Sequence, residues 1–246
     1  MFCTERQVCV RQFTQFCNVT KETIEINAVF MYNVTIRVSE PTWKEGSFPK
    51  GELTTMYTVN AIRNICLLGH SGSGKSALAE SLLYMTGAID RMGKNADGNT
   101  VCDSDPEEIR RHISISTAVV PLEYKNTKIN VLDTPGAFDF SGAVMEALRA
   151  ADAAILVLSA KDGITVGFEK AWAYCEERNM PRFVYISKVD EDNSDYNATF
   201  NSLREKYGNK IAPVIVPIWN GGHKVTGIID VLNKRAYEMQ NLKRVE

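Results

Sequence analysis

Residues 69–76 read GHSGSGKS (Gly69, His70, Ser71, Gly72, Ser73, Gly74, Lys75, Ser76) and follow the apolar run AIRNICLL at 61–68. Gly69 and Gly74-Lys75-Ser76 satisfy the spacing G-x4-G-K-[ST], which is informative only between a strand and a helix. Both flanks meet that condition. IRNICLL reads as a short strand whose apolar residues suit burial on both faces. SALAESLLYMTG (76–87) reads as a helix, with Leu78, Leu82 and Met85 on one face and Gly87 as its stop. In such a loop the glycines let backbone N–H groups turn inward around phosphate oxygens, and the helix N-terminus adds its positive dipole end. The expected cradle runs from Gly69 to Ala77. Lys75 would reach the β- and γ-phosphates, and the Ser76 hydroxyl would ligate Mg2+.

Two stretches further along complete a nucleotide site. Asp133-Thr134-Pro135-Gly136 closes the strand INVL. A carboxylate there can hold Mg2+ through water, and the Gly136 N–H is placed to sense a γ-phosphate. Alone, this tetrapeptide is equally good turn chemistry; the phosphate loop upstream favours the nucleotide reading. Ser187-Lys188-Val189-Asp190 follows RFVYI at another strand end. Asp190 can accept from guanine N1–H and the exocyclic amine, while the Lys188 stem lies along the base. K-x-D by itself is common in exposed loops, so its strand context carries the guanine assignment.

From 56 onward strands and helices alternate. DPEEIRRH (105–112) begins a short helix or turn, with Asp105 as cap, Pro106 at the first position and Glu108 closing a capping box. ISISTAVVPLEY and KINVLD flank the turn KNT and are expected to pair antiparallel. AAILVLS and RFVYIS are two more core strands. FEKAWAYCEERN puts Phe168, Trp172 and Cys175 on one buried stripe, and YNATFNSLREKYG is a helix stopped by Gly208. The expected fold class is therefore α/β, a mostly parallel sheet with helices on both faces.

Composition narrows the function classes. The chain has 246 residues, 44% hydrophobic and 24% charged, with a net charge of −2. That balance argues against a generally basic surface coating nucleic acid. The longest apolar runs, such as AAILVL at 153–158, are too short to span a bilayer, and MFCTERQVCV lacks the apolar core of a secretory signal. A cytoplasmic protein with no membrane partner is expected. The six cysteines match no zinc pattern and read as free thiols, buried at Cys66 and Cys175.

Before residue 55 the composition differs: one alanine, Ala28, and much Val, Thr and Phe. TIEINAVF and YNVTIRV could pair as a hairpin, and SEPTWKEGSFPKGEL (39–53) has the Pro and Gly of a linker. Residues 1–55 are either a small β appendage or an upstream extension of a domain that begins at Met56. The second reading is preferred, because a lone hairpin is marginally stable.

Taken together, GHSGSGKSALAESLLYMTGAIDRMG, DPEEIRRHISIS, NVLDTPGAFDFSG and SKVD, in that order, resemble the G domain of translational GTPases. The resemblance is to elongation factor G and elongation factor G-like proteins, from about Met56 to Glu238. It implies a P-loop NTPase fold, GTP/GDP and Mg2+ as ligands, Ser114 as a switch I metal ligand beside Ser76 and Asp133, and Lys75 and Gly136 as catalytic residues. It implies the ribosome as a partner of a monomer, with no sequence-specific nucleic acid. On this reading 56–208 is the GTP-binding core, 209–246 begins an insert within the G domain, and PVIVPI (213–218) is an insert strand. The family's last guanine-contacting loop, its final core strand and its tRNA-mimicking domains would lie beyond Glu246. A truncated product is the resulting expectation, and translocation by this chain alone is not expected.

Four positions depart from the family pattern. Gly72 stands where Asp is usual, and Ser114 where Thr is usual; serine keeps the hydroxyl but lacks the methyl that restricts its rotamer. Ala137 replaces a His that orients the attacking water, and losing such a group typically costs on the order of 10²–10⁴ in rate. Ser187 replaces an Asn that ties the base to the phosphate loop, so weaker guanine affinity is expected. Slow hydrolysis is one expectation. Binding without hydrolysis, or an inert fragment, are the alternatives.

Overall fold

The structure is a computed structural model and describes residues 57–219, 225–238 and 244–245. The expected hairpin and linker of 1–55, the start at Met56, and Cys3, Cys9 and Cys17 lie outside the described residues.

Five strands form the central sheet: β1 (Ile62–Leu68), β2 (Ala118–Tyr124), β3 (Thr127–Asp133), β4 (Ala153–Ser159) and β5 (Arg182–Ser187). Their order is β2-β3-β1-β4-β5. β1 runs parallel to both β3 and β4, β4 runs parallel to β5, and only β2 is antiparallel to its neighbour. The β2–β3 hairpin turns on Lys125 and Asn126, with φ of 45° and 58°. Positive φ at both central residues matches the right-handed strand twist of a two-residue hairpin.

The expected strand over 113–124 is shorter than its apolar pattern suggested and starts at Ala118. The reason lies in hydrogen bonding. Glu108 Oε1 accepts the N–H groups of Ile115 and Ser116 at 2.9 and 3.0 Å, so those donors are committed to a side chain.

Helices α1 (Lys75–Met85), α2 (Pro106–Arg111), α3 (Ser141–Ala150), α4 (Val166–Glu177) and α5 (Tyr196–Tyr207) connect the strands. α1 packs on one sheet face, where Leu78, Ala79, Leu82 and Leu83 meet Leu67, Val131 and Val157. Leu83 is buried there and Met85 only partly so. α3, α4 and α5 cover the other face, where Phe168, Trp172, Cys175 and Leu203 meet Cys66, Leu68 and Leu156. Alternate residues of β1 thus enter both cores, as a strand buried on two faces requires. The capping box of α2 is formed by Asp105 and Glu108 with Pro106 behind the cap. Cys66, Cys102 and Cys175 are free and buried.

A second, antiparallel sheet follows: β6 (Ile215–Trp219), β7 (Val225–Asp230), β8 (Arg235–Glu238) and β9 (Arg244–Val245). β6 pairs with β7 and takes no place in the central sheet. Tyr196 of α5 touches it twice, its ring 5.7 Å from that of Trp219 and its hydroxyl donating to Ile215 O at 3.4 Å.

Candidate functional site

The C-terminal ends of β1, β3 and β5 lie on one edge of the sheet, the edge where open parallel sheets bind ligands. Leu67 is in register with Asp133, and Ser159 with Ser187, so the three motifs arrive side by side. The loop 69–74 leaves β1 at Gly69 and enters α1 through Gly74. There φ is 95°, a left-handed conformation that glycine adopts without strain.

Lys75 opens α1 and is 6% exposed. Its ammonium donates to Gly69 O at 3.2 Å and His70 O at 3.0 Å. Burial pulls its pKa down, while the charges of Asp133 and Asp103 oppose that shift. Ser76 Oγ donates to Asp133 Oδ2 at 2.6 Å. Burial pushes the Asp133 carboxyl up to about 6, against the pull of the Ser76 hydroxyl and the Lys75 ammonium. Its second oxygen, Oδ1, is buried with no N–H or O–H partner. The buried Cys102 thiol, a weak donor, also bonds this carboxylate; a buried carboxylate so weakly satisfied is costly, and a cation relieves that cost.

Among the described residues no group of three or more His, Cys, Asp or Glu forms a metal cage. A cation at this position would rest on the Ser76 hydroxyl, the Asp133 carboxylate and phosphate oxygens. Those are hard donors, in the small number that Mg2+ takes from a protein. The donor set therefore fits Mg2+.

The remaining residues of the cradle divide by exposure. Ser71, Gly72 and Ala77 are exposed, while Ser73 is buried. The His70 ring lies 5.8 Å from that of Phe138, and its Nδ1 is buried without a hydrogen-bond partner. Gly136 meets the loop so closely that an added Cβ would lie 2.5 Å from Ser71 N and 2.6 Å from Lys75 Nζ. Pro135 is buried. The Thr134 hydroxyl points away from this chemistry and donates to Leu67 O at 2.6 Å, pinning the start of the turn to β1.

Ser187 reaches the loop despite its short side chain. Its Oγ lies 2.6 Å from Ser73 O and 3.2 Å from Leu158 O. Lys188 turns the chain at φ 55° and pairs with Glu191 at 3.7 Å, and Asp190 is exposed beyond it.

A family model for the elongation factor Tu GTP binding domain matches residues 60–243. The chain belongs to this family. An elongation factor G-like protein of Mycobacterium tuberculosis is 37% identical over 183 residues, which are 74% of this chain and 25% of that protein. A mitochondrial ribosome-releasing factor 2 of Anopheles gambiae is 36% identical over 172 residues, 70% of this chain and 23% of its own length. A crystal structure from Thermus thermophilus superposes with a TM-score of 0.70 at 40% identity, covering 76% of this chain and 28% of that one. The chain spans about a quarter of the length of the curated relatives it matches.

Within this GTP-binding domain fold, the buried carboxylates around Ser114 escaped the reading of the sequence. Asp103 Oδ1 accepts the Ser114 hydroxyl at 2.7 Å, and Asp103 is 4% exposed. The same Asp103 charge also acts on Lys75 and Asp133. Glu108, expected only as part of a cap, also holds the backbone just beyond Ser114, and Glu80 holds the loop before it. Acids in a polar stretch read as solvated charge. The available signal was Glu80, four residues after Ser76 and set among Leu78, Ala79 and Leu82.

Proposed function

We propose that this chain binds GTP and GDP with Mg2+ and hydrolyses GTP slowly. We also propose that it is part of an elongation factor G-like translation factor that works at the ribosome, in the cytoplasm. The observation that carries the proposal is Asp133 Oδ1, a buried carboxylate oxygen without an N–H or O–H donor, on the same carboxyl group as the oxygen that holds the Ser76 hydroxyl. Residues 56–208 would be the G domain core. The antiparallel sheet that starts at Ile215 is consistent with 209–246 opening an insert.

Bound Mg2+ would neutralise charge developing on the phosphate oxygens. The protein's own part is placement. Gly69 through Ala77 would wrap the phosphates with backbone N–H groups, and Lys75 would exchange the carbonyls of Gly69 and His70 for phosphate oxygens. Ser76, Ser114 and Asp133 would hold the cation. The Gly136 N–H would face the terminal phosphate, while Thr134 and Pro135 fix the turn that carries it. Asp190 would read the guanine edge, Lys188 would cover the base, and Ser187 would brace the base loop against Ser73.

Ala137 favours a second reading in which GTP is held but not cut, because an alanine side chain neither donates nor accepts. The test of the first reading is Mg2+-dependent binding of labelled GTP and ATP to the 246-residue chain and to Lys75→Ala. The expected outcome is a clear preference for GTP and loss of binding in the variant. Equal affinities for the two nucleotides would remove the guanine assignment. Undiminished GTP binding by Lys75→Ala would remove the whole proposal.

A further inference from the structure

The proposed nucleotide site gives no direct role to Glu80, a fully buried acid. Glu80 lies on α1 one turn beyond Ser76 and on the same face. None of its surface is exposed. Its carboxylate accepts two backbone N–H groups, that of Gly93 at 2.8 Å on Oε2 and that of Val101 on Oε1. These donors stand at the two ends of one loop, so a single side chain from the phosphate-loop helix closes it. The crossing is tight: a Cβ at Gly93 would lie 2.4 Å from Asn99 O and 2.8 Å from the Thr100 Cα. Lys94 N–H donates to Asn99 Oδ1 at 2.7 Å, and His112 Nδ1 lies 2.8 Å from Asn95 O. The loop is thereby fastened to α1 on one side and to the segment after α2 on the other.

From Val101 the chain runs directly into Cys102 and Asp103, both buried. Asp103 Oδ2 lies 3.3 Å from the Thr100 hydroxyl, and its Oδ1 takes the Ser114 hydroxyl. A continuous set of contacts thus leads from Glu80 through Val101 and Asp103 to Ser114.

We infer that Glu80 is a positioning residue: by clamping residues 93–101 to α1 it sets Asp103 to hold the Ser114 hydroxyl. The role of Ser114 in this inference rests on the proposed nucleotide function; the clamp itself does not. A purely supportive Glu80 would affect all bound nucleotides alike. Switch I segments of GTPases are ordered by the γ-phosphate and its Mg2+ and released on hydrolysis, so a clamp that sets Ser114 acts in the triphosphate complex.

Two substitutions open the clamp from opposite ends. Glu80→Gln puts an NH2 group against one of the two N–H donors, and Gly93→Ala drives a methyl into the Asn99 carbonyl without touching α1. The first measurement is amide hydrogen exchange of the 246-residue chain without nucleotide. Residues 101–116 are expected to exchange about tenfold faster in both variants, with β1 and β3 unchanged. The second is Mg2+-dependent binding of a non-hydrolysable GTP analogue and of GDP. Analogue affinity is expected to fall about tenfold while GDP affinity stays within about twofold. Parental exchange at 101–116 in both variants would overturn the inference. So would equal loss of both nucleotides alongside a lowered melting temperature. Faster exchange in both variants, with no nucleotide bound by the parent protein, would uphold the clamp and sink the proposed function instead.

Discussion

Ala137 has φ −79° and ψ 141°, an ordinary extended conformation that imposes no demand for a small side chain. The residue is half-buried and follows directly on Gly136, which lies against the loop 69–74 and Lys75. A histidine there fits the backbone without strain. If water positioning is what Ala137 lacks, Ala137→His raises the single-turnover rate of GTP hydrolysis severalfold, with GTP affinity unchanged. An unchanged rate would show that the water is placed by another group. At this scale the site was legible wherever a motif couples residue type to spacing, as with Lys75, Ser76 and Asp133. Ser187 was legible as a position but not as a contact, because its tie to Ser73 O depends on how near β5 ends to the loop. Asp103 was not legible, since its partner is a hydroxyl eleven residues on, and Glu80 showed only as an acid among apolar helix residues, with no sign of the backbone N–H groups it holds.

Among the elements, α4 shows how a stripe of side chains becomes a fixed platform beside the site. Phe168 is fully buried, with its ring 6.3 Å from that of Trp172 and 6.2 Å from that of Tyr207. Trp172 stacks on Tyr207 at 4.0 Å, carries the Arg182 guanidinium on its ring at 4.2 Å, and donates from Nε1 to Glu176. Phe168 and Trp172 thus join α4 to α5 through Tyr207. Phe168→Ala is expected to destabilise the chain by about 3–5 kcal/mol. Urea unfolding would read this as a lower midpoint with an unchanged slope. The stripe was legible because Phe168, Trp172 and Cys175 follow helical spacing. The end of a strand is harder to read. Ile113 and Ile115 carry an apolar pattern that suits β structure, yet Glu108 removes the donors that a ladder would use.

At the largest scale, the two cores flank the central sheet, and β1 is its middle strand. Cys66 and Leu68 serve one core and Leu67 the other, so neither face closes before β1 has neighbours on both sides. Those neighbours come late in the chain: Ile62 pairs with Lys128, and Ile65 with Ala153. Such long-range pairing slows folding relative to local contacts. A chain ending at Asp152 retains the phosphate loop, α1 and the β2–β3 hairpin but lacks β4. It is expected to melt without a cooperative transition by circular dichroism, whereas the 246-residue chain melts cooperatively. A cooperative melt of the shortened chain would show that β4 is dispensable for closing the core. The placement of β1 also bears on synthesis. The glycine loop is among the first parts of the described chain to be made, yet its strand is not flanked on both sides until residues about ninety positions later have emerged. A growing polypeptide would therefore acquire its grip on a ligand in one late step, when the last flanking strand is seated.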